Sequence, residues 1–239
     1  MHREHIERVY GGNVAFSGEP IPFKLLLVLF TNRSGSNRVC DALLSTGQLG
    51  MGVEYLNWDV VERMRPVIGA DSFDGHMRWL ADRTARNRVF VLKAGHEQFE
   101  MLADWGYVGA FSQTRAAFCT RRDALGQAIS FSIADQTKAW SSIDAKAQEV
   151  EPAYDREDIQ NRLNGVMAEA ERIRALLART ALPAVEVEYE RFDADPGGHV
   201  AAIGELIGER LVYAPERTRL RRQATALNEA WRARFLSGD

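Results

Sequence analysis

The chain has 239 residues, of which 46% are hydrophobic and 26% charged, a mixture typical of one folded globular core and not of a disordered or fibrous protein. Its formal net charge of −3 excludes a general attraction to nucleic acid or anionic membranes, so any anion site must be built locally from a few placed cations. Cys40 and Cys119 have neither metal-binding nor disulfide-framework spacing, which fits a reducing cytoplasm.

The first half of the chain alternates between strand and helix patterns. Residues 1–22 are polar and lack the order of a secretory signal, so we interpret them as an N-terminal extension of a soluble, cytoplasmic domain spanning 1–239. The apolar run 25–30 is typical of a strand buried on both faces, and a helix is predicted over 36–46, ended by Gly47. A helix over 72–86, capped by Ser72, and a strand at 88–93 follow.

The second half continues this alternation. It predicts strands at 115–120 and 184–189, helices at 123–143, 155–179 and 197–207, and a C-terminal helical tail, 212–239, that is amphipathic over 216–235. We therefore predict an α/β, P-loop-like three-layer fold, with a central parallel sheet flanked by helices. Ligands of such folds bind at the carboxyl ends of the strands.

The turn after the first strand carries the strongest chemical signal. It joins a buried strand to a helix start through Asn32, Arg33, Ser34, Gly35, Ser36, Asn37 and Arg38. The backbone amides of such a turn and the dipole of the following helix favour the binding of an anion, and Arg33 can donate two hydrogen bonds to phosphate oxygens. Because no GxxxxGK[ST] occurs, this is not a Walker A loop. The pattern predicts a phosphate site, with an ordinary strand-to-helix turn as the alternative.

A second cluster lies in the segment 120–130, Thr-Arg-Arg-Asp-Ala-Leu-Gly-Gln-Ala-Ile-Ser. Taken alone, its two arginines are typical of a solvated strand end. Together with the turn at 32–37 and the segment Met-Gly-Val-Glu-Tyr at 51–55, however, it resembles the sulfotransferases that use 3′-phosphoadenosine 5′-phosphosulfate (PAPS). The similarity is greatest to the bacterial trehalose 2-sulfotransferase-like family. The segment 188–196 resembles a further, mostly structural element of these enzymes.

The resemblance implies PAPS as co-substrate, a small acceptor with a hydroxyl, such as a sugar or glycolipid, and no metal. It implies donor contacts from Arg33, Ser34, Gly35, Ser36, Asn37, Arg122 and Ser130. Arg122 and Ser130, eight positions apart, would hold the 3′-phosphate. Asn32 stands where the family has proline, and Asn37-Arg38 where it has a Thr-Leu pair. Arg38 either adds a phosphate or acceptor contact or lies along the helix surface.

Two residues are candidates for the base that deprotonates the acceptor. The resemblance implies Glu54, and desolvation beside Tyr55 and Trp58 would raise its pKa toward neutrality. His96 is the second candidate, because it follows the strand-terminal Lys93 as in eukaryotic cytosolic sulfotransferases, with one additional residue between them. Lys93 would lie near the transferred sulfuryl group.

Two other functions stay open on the sequence. One is a nucleotide-dependent kinase or other phosphoryl transferase on a related fold, which would require Mg²⁺. The other is a nucleotide-binding homologue without turnover. No nucleic-acid partner is expected, and a homo-oligomer is possible.

Overall fold

The core of the computed structural model, which describes residues 1–140, 150–220 and 226–238, is a parallel sheet. Its strands are β1 (Ile21–Phe30), β2 (Val89–Ala94), β3 (Phe111–Thr120) and β4 (Ala184–Glu188). They lie in the order β2-β1-β3-β4, and every neighbouring pair is parallel. The carboxyl ends of the four strands therefore meet at one edge of the sheet.

Helices cover both faces of this sheet. They are α1 (His2–Val9), α2 (Ser36–Ser45), α3 (Trp58–Ile68), α4 (Phe73–Thr84), α5 (His96–Asp104), α6 (Ala124–Thr137), α7 (Arg156–Thr180), α8 (Tyr189–Ala194), α9 (Pro196–Ile207) and α10 (Ala226–Ser237). Along β1, Leu25 and Leu27 pack into one apolar cluster, while Leu26 and Val28 pack into the cluster on the opposite face. This alternation is what a doubly covered strand requires. The predicted α/β fold with a central parallel sheet is confirmed.

Several predicted boundaries are confirmed within two residues, and others differ. The Ser72 hydroxyl accepts a hydrogen bond from the Gly75 N–H and caps α4 as predicted. The extension at 1–22 contains α1 and the start of β1, and β3 begins four residues before its predicted start. The sequence prediction also missed α3 and α5.

The helix predicted over 123–143 ends at Thr137, because Lys138 adopts the left-handed conformation with φ of +56°. Residues 141–143 of that prediction lie outside the described residues. So do residues 221–225 of the predicted amphipathic segment, whose described helical part, α10, begins at Ala226.

The C-terminal helix α10 packs against α6. Its Trp231 and Phe235 form a small apolar cluster with Ala128, Ile129 and Ile159. This packing brings Asn228, Glu229 and Arg232, which lie beside the apolar residues on α10, to the carboxyl edge of the sheet. Among the described residues, none of the helices combines the length and the hydropathy needed to cross a bilayer.

Candidate active site

A cavity of about 480 Å³ opens at the carboxyl ends of β1, β2 and β3. Its described lining includes five cationic side chains, Arg33, Arg38, Lys93, Arg121 and Arg232, and three acidic ones, Glu54, Asp123 and Glu229. An excess of cations in a concave site raises the local concentration of anions. The cavity therefore suits a small ligand with several negative charges.

The turn between β1 and α2 forms one wall of this cavity. Arg33 has φ of +64° and Gly35 φ of +91°, both in the left-handed region. A non-glycine residue in that region is uncommon and, when the fold maintains it, tends to occur at functional sites. Gly35 is required for a second reason: the Tyr189 ring packs so closely that a Cβ atom at position 35 would lie 2.4 Å from Cδ2 of Tyr189.

Arg33 connects the turn to α6. Its Nε donates to Oγ of Ser130 at 3.0 Å, and its Nη1 donates to the carbonyl oxygen of Trp140 at 2.7 Å. Nδ2 of Asn37 lies 3.5 Å from the same carbonyl oxygen. Burial and then the nearby charge of Arg121 lower the pKa of Arg33. The two clusters predicted from the sequence thus meet in one site, with two guanidinium groups near each other.

The structure brings Arg121, and not its neighbour Arg122, into the cavity. The side chain of Arg122 is 70% exposed, and its nearest ionic partner is Glu188 at 3.9 Å. Arg121 lines the cavity, packs over the Tyr189 ring at 5.1 Å and lies 3.7 Å from Asp123. Both residues directly follow β3, which ends at Thr120, and their side chains leave the chain in different directions.

The remaining predicted donor residues divide into two groups. Gly35, Ser36, Asn37 and Ser130 line the cavity with Arg33. Ser34 is buried, is not among the lining residues, and its hydroxyl has no hydrogen-bond partner among the described residues. The roles of these residues toward a donor remain predictions.

Glu54 and Lys93 form an ion pair at the other end of the cavity. Nζ of Lys93 donates to Oε1 of Glu54 at 2.7 Å and to Oδ1 of Asn37 at 2.6 Å. Only 5% of the Lys93 side chain is exposed. Burial favours a raised pKa for Glu54, but the charge and hydrogen bond of Lys93, together with the Asn57 amide, outweigh it and hold the pKa below its usual value. The expectation of a raised pKa is therefore wrong, because the sequence does not reveal the lysine partner.

His96, the second candidate base, faces away from this cavity. It begins α5, its Nε2 lies 3.3 Å from Nη1 of Arg172, and its Nδ1 lies 4.0 Å from Oε1 of Glu169. Both partners belong to α7. His96 is not among the residues that line the cavity, whereas Glu54 is.

Arg38 lies at the edge of the cavity and also contacts α8, while a phosphate or acceptor contact from it stays a prediction. Its guanidinium pairs with Asp193 and packs over the Tyr189 ring at 5.8 Å, while the residue also lines the cavity. Tyr189 thus contacts guanidinium groups from Arg38 and Arg121. Its position was contained in the element at 188–196, but no local signal indicated that the ring lines the site.

The sequence prediction also missed several other lining residues. Asn57 donates to Glu54, Trp140 supplies the carbonyl oxygen that Arg33 contacts, and Arg232 of α10 pairs with Asp123 beside Asn228. Asn57, Trp140 and the α10 residues come from three separate segments, so no spacing pattern joins them to the turn. Within the described ranges, no group of three or more His, Cys, Asp or Glu side chains is arranged to hold a metal ion.

A family model decides the relationship of this chain to known proteins. The model of the Stf0 sulphotransferase family matches residues 106–237, more than half of the chain. The chain belongs to the Stf0 sulphotransferase family. The predicted sulfotransferase family is therefore confirmed. The matched range contains Arg121, Ser130 and Tyr189, but it begins after the turn and Glu54.

Solved structures of other sulfotransferases are similar to this chain. A sulfotransferase from Alicyclobacillus acidocaldarius has a TM-score of 0.50 and 12% identity, with 92% of this chain and 93% of that chain covered. The sulfotransferase domain of the Synechococcus PCC 7002 olefin synthase has a TM-score of 0.46 and 15% identity, with 91% and 89% covered. At 12% identity, the similarity to the Alicyclobacillus acidocaldarius enzyme concerns the fold alone. No curated protein matches the chain.

Proposed function

We propose that this sulfotransferase transfers a sulfuryl group from PAPS to a hydroxyl of a small, carbohydrate-containing acceptor. One observation carries the proposal: the turn after β1, the Arg121 and Ser130 pair, and the Glu54 and Lys93 pair line one cavity at the carboxyl edge of the sheet. Sulfuryl transfer, like phosphoryl transfer, depends on placement and charge stabilisation, and these groups supply both.

The donor would lie across the cationic half of the cavity. The backbone amides of residues 34–37 and the Arg33 guanidinium would hold the 5′-phosphosulfate, where charge grows on the departing phosphate. Arg121 and Ser130 would hold the 3′-phosphate. The sequence comparison selected Arg122 for that role, but the cavity position of Arg121 and the exposure of Arg122 favour Arg121.

The acceptor would lie beside Glu54. Its hydroxyl oxygen forms a bond to the sulfur atom while the bond between sulfur and the 5′-phosphate oxygen breaks, and its proton passes to the Glu54 carboxylate. The products are the sulfate ester and adenosine 3′,5′-bisphosphate. Lys93, which donates to both Glu54 and Asn37, would stabilise negative charge on the oxygens of the transferred sulfuryl group.

The proposed acceptor class is supported by the polarity of this end of the cavity. Glu54, Asn57 and Lys93 offer charged and amide groups, which match a ligand with several hydroxyls better than an apolar one. Trp58 beside them stacks on the His5 ring, with centroids 4.6 Å apart, and is not among the lining residues.

Turnover with a defined donor tests the proposal. We expect sulfate-labelled PAPS to yield a labelled ester with trehalose or another sugar, and little or none with phenols and sterols. Glu54→Gln would serve as the inactive reference. Transfer to phenols at a higher rate than to any sugar would refute the acceptor class, and transfer of phosphate from ATP with Mg²⁺ in place of sulfate from PAPS would refute the donor.

A further inference from the structure

Asn57 stands at the N-cap of α3, but its side chain does not cap the helix. Asparagine is among the best residues at this position, where its side chain normally accepts a hydrogen bond from a backbone N–H near the start of the helix. Here Nδ2 of Asn57 donates to Oε2 of Glu54 at 3.1 Å, and Oδ1 accepts from Nε2 of Gln98 at 3.0 Å. The Asn57 side chain therefore makes contacts with Glu54 and Gln98 instead of capping α3.

His2 provides part of the missing capping. The backbone N–H of Trp58, the first residue of α3, donates to Nδ1 of His2 at 3.1 Å. Burial is the main influence on His2 and lowers its pKa, which keeps Nδ1 available as an acceptor. The N-terminal helix α1 therefore partners an otherwise orphaned donor at this helix end, and Asn57 remains free for the carboxylate.

Gln98 fixes the direction of the Asn57 amide. The amide has a donor end and an acceptor end, and it can be placed in two ways. With Gln98 donating to Oδ1, the NH₂ group of Asn57 faces Glu54. The reversed amide would place Oδ1 against Oε2 of Glu54, so that two acceptors would face each other. Gln98 is itself buried.

We propose that Asn57, held by Gln98, is a positioning residue for sulfuryl transfer that directs the Glu54 carboxylate toward the acceptor hydroxyl. The inference rests on the proposed function of Glu54 as the base. Lys93 binds Oε1 and Asn57 binds Oε2, so both carboxylate oxygens are fixed, and each retains a second lone pair. The Glu54 side chain is 36% exposed and lines the cavity, where an acceptor reaches it.

Asn57→Ser is the decisive variant. Serine caps helices as well as asparagine does but is too short to reach Glu54. We expect a melting temperature equal to or above that of the wild type, an unchanged affinity for adenosine 3′,5′-bisphosphate, and a loss of about tenfold or more in kcat, since a hydrogen bond to a charged group is removed. Asn164→Ser, an exposed amide on α7, is the matched control.

A double variant tests the role of Gln98. Gln98→Leu should lower kcat by itself, but adding it to Asn57→Ser should change kcat by less than about twofold, because Gln98 acts only through Asn57. Full additivity of the two losses would overturn the proposed chain of contacts.

An NMR titration gives a readout that needs no acceptor. The ¹³C carboxyl signal of Glu54, assigned by its loss in Glu54→Gln, should titrate at higher pH in Asn57→Ser and Gln98→Leu but not in Asn164→Ser.

Wild-type kcat and an unchanged titration in Asn57→Ser would overturn the inference and leave the proposed function intact. A fall in melting temperature with an unchanged titration would mark a merely structural role and would also overturn it. If Glu54→Gln itself retained full transfer, the proposed function of Glu54 would fail.

Discussion

Nε of Arg33 lies 3.0 Å from Oγ of Ser130, although 97 residues separate the two in sequence. The contact joins the turn after β1 to α6, whose N-terminus follows the end of the neighbouring strand β3. Parallel pairing brings these two strand ends to the same edge, so groups near both ends can contact one donor molecule.

Arg33→Ala should lower the rate of transfer more than it weakens donor affinity. The negative charge on the leaving phosphate is largest in the transition state, where the proposed role of Arg33 lies. Steady-state kinetics with PAPS, together with titration of adenosine 3′,5′-bisphosphate, separate the two effects. A loss of donor affinity at unchanged kcat would show that Arg33 binds the donor equally well in the ground state and in the transition state, which contradicts the proposed role.

Arg121→Ala should reduce the stabilisation by adenosine 3′,5′-bisphosphate much more than Arg122→Ala does. A ligand that binds only the folded state at one hundred times its Kd contributes about 2.7 kcal/mol, and loss of a charge-assisted contact removes roughly 1.5–3 kcal/mol of binding. Thermal shift measures this difference, with AMP as the control ligand that lacks the 3′-phosphate. A larger effect of Arg122→Ala would assign the 3′-phosphate contact to Arg122, as the sequence spacing predicts.

Glu54→Gln should abolish most transfer and leave binding of the bisphosphate nearly unchanged, because it removes the proton acceptor without altering the cationic half of the cavity. His96→Ala is the matched comparison, since His96 faces α7. Turnover of both variants with labelled PAPS checks the assignment. If His96→Ala lowered the rate of transfer by about 100-fold while Glu54→Gln stayed active, His96 and not Glu54 would be the base.

Lys93→Met should move the acidic limb of the pH profile of kcat/KM to higher pH. The base must be ionised, and in the wild type the pKa of Glu54 is held below its usual value of 4.5, so activity should persist as the pH falls to that value. The same depressed pKa stabilises the fold above the unfolded-state pKa, and this contribution is lost as the pH falls through the folded-state pKa. Removing the ammonium group leaves burial to dominate and raises the pKa. Circular dichroism at each pH separates the loss of activity from unfolding. If the acidic limb of the profile did not move in Lys93→Met, the claim that Lys93 lowers the pKa of Glu54 would be contradicted.

The sequence alone determined the strand-and-helix alternation, the turn at 32–38 and the order of the motifs, because local patterns of apolar, glycine and charged residues specify these features. Only the tertiary structure decided which of two adjacent arginines faces the cavity, since that choice depends on strand direction and on packing against Tyr189. It also decided the ionisation of Glu54, which depends on Lys93, 39 residues away. Asn57 and Gln98 carry no local signal, because the hydrogen bond between them joins the start of α3 to α5 across 41 residues of sequence. Hydrogen bonds and charge interactions depend on distances between side chains that are far apart in sequence, and these distances are set only when the chain folds.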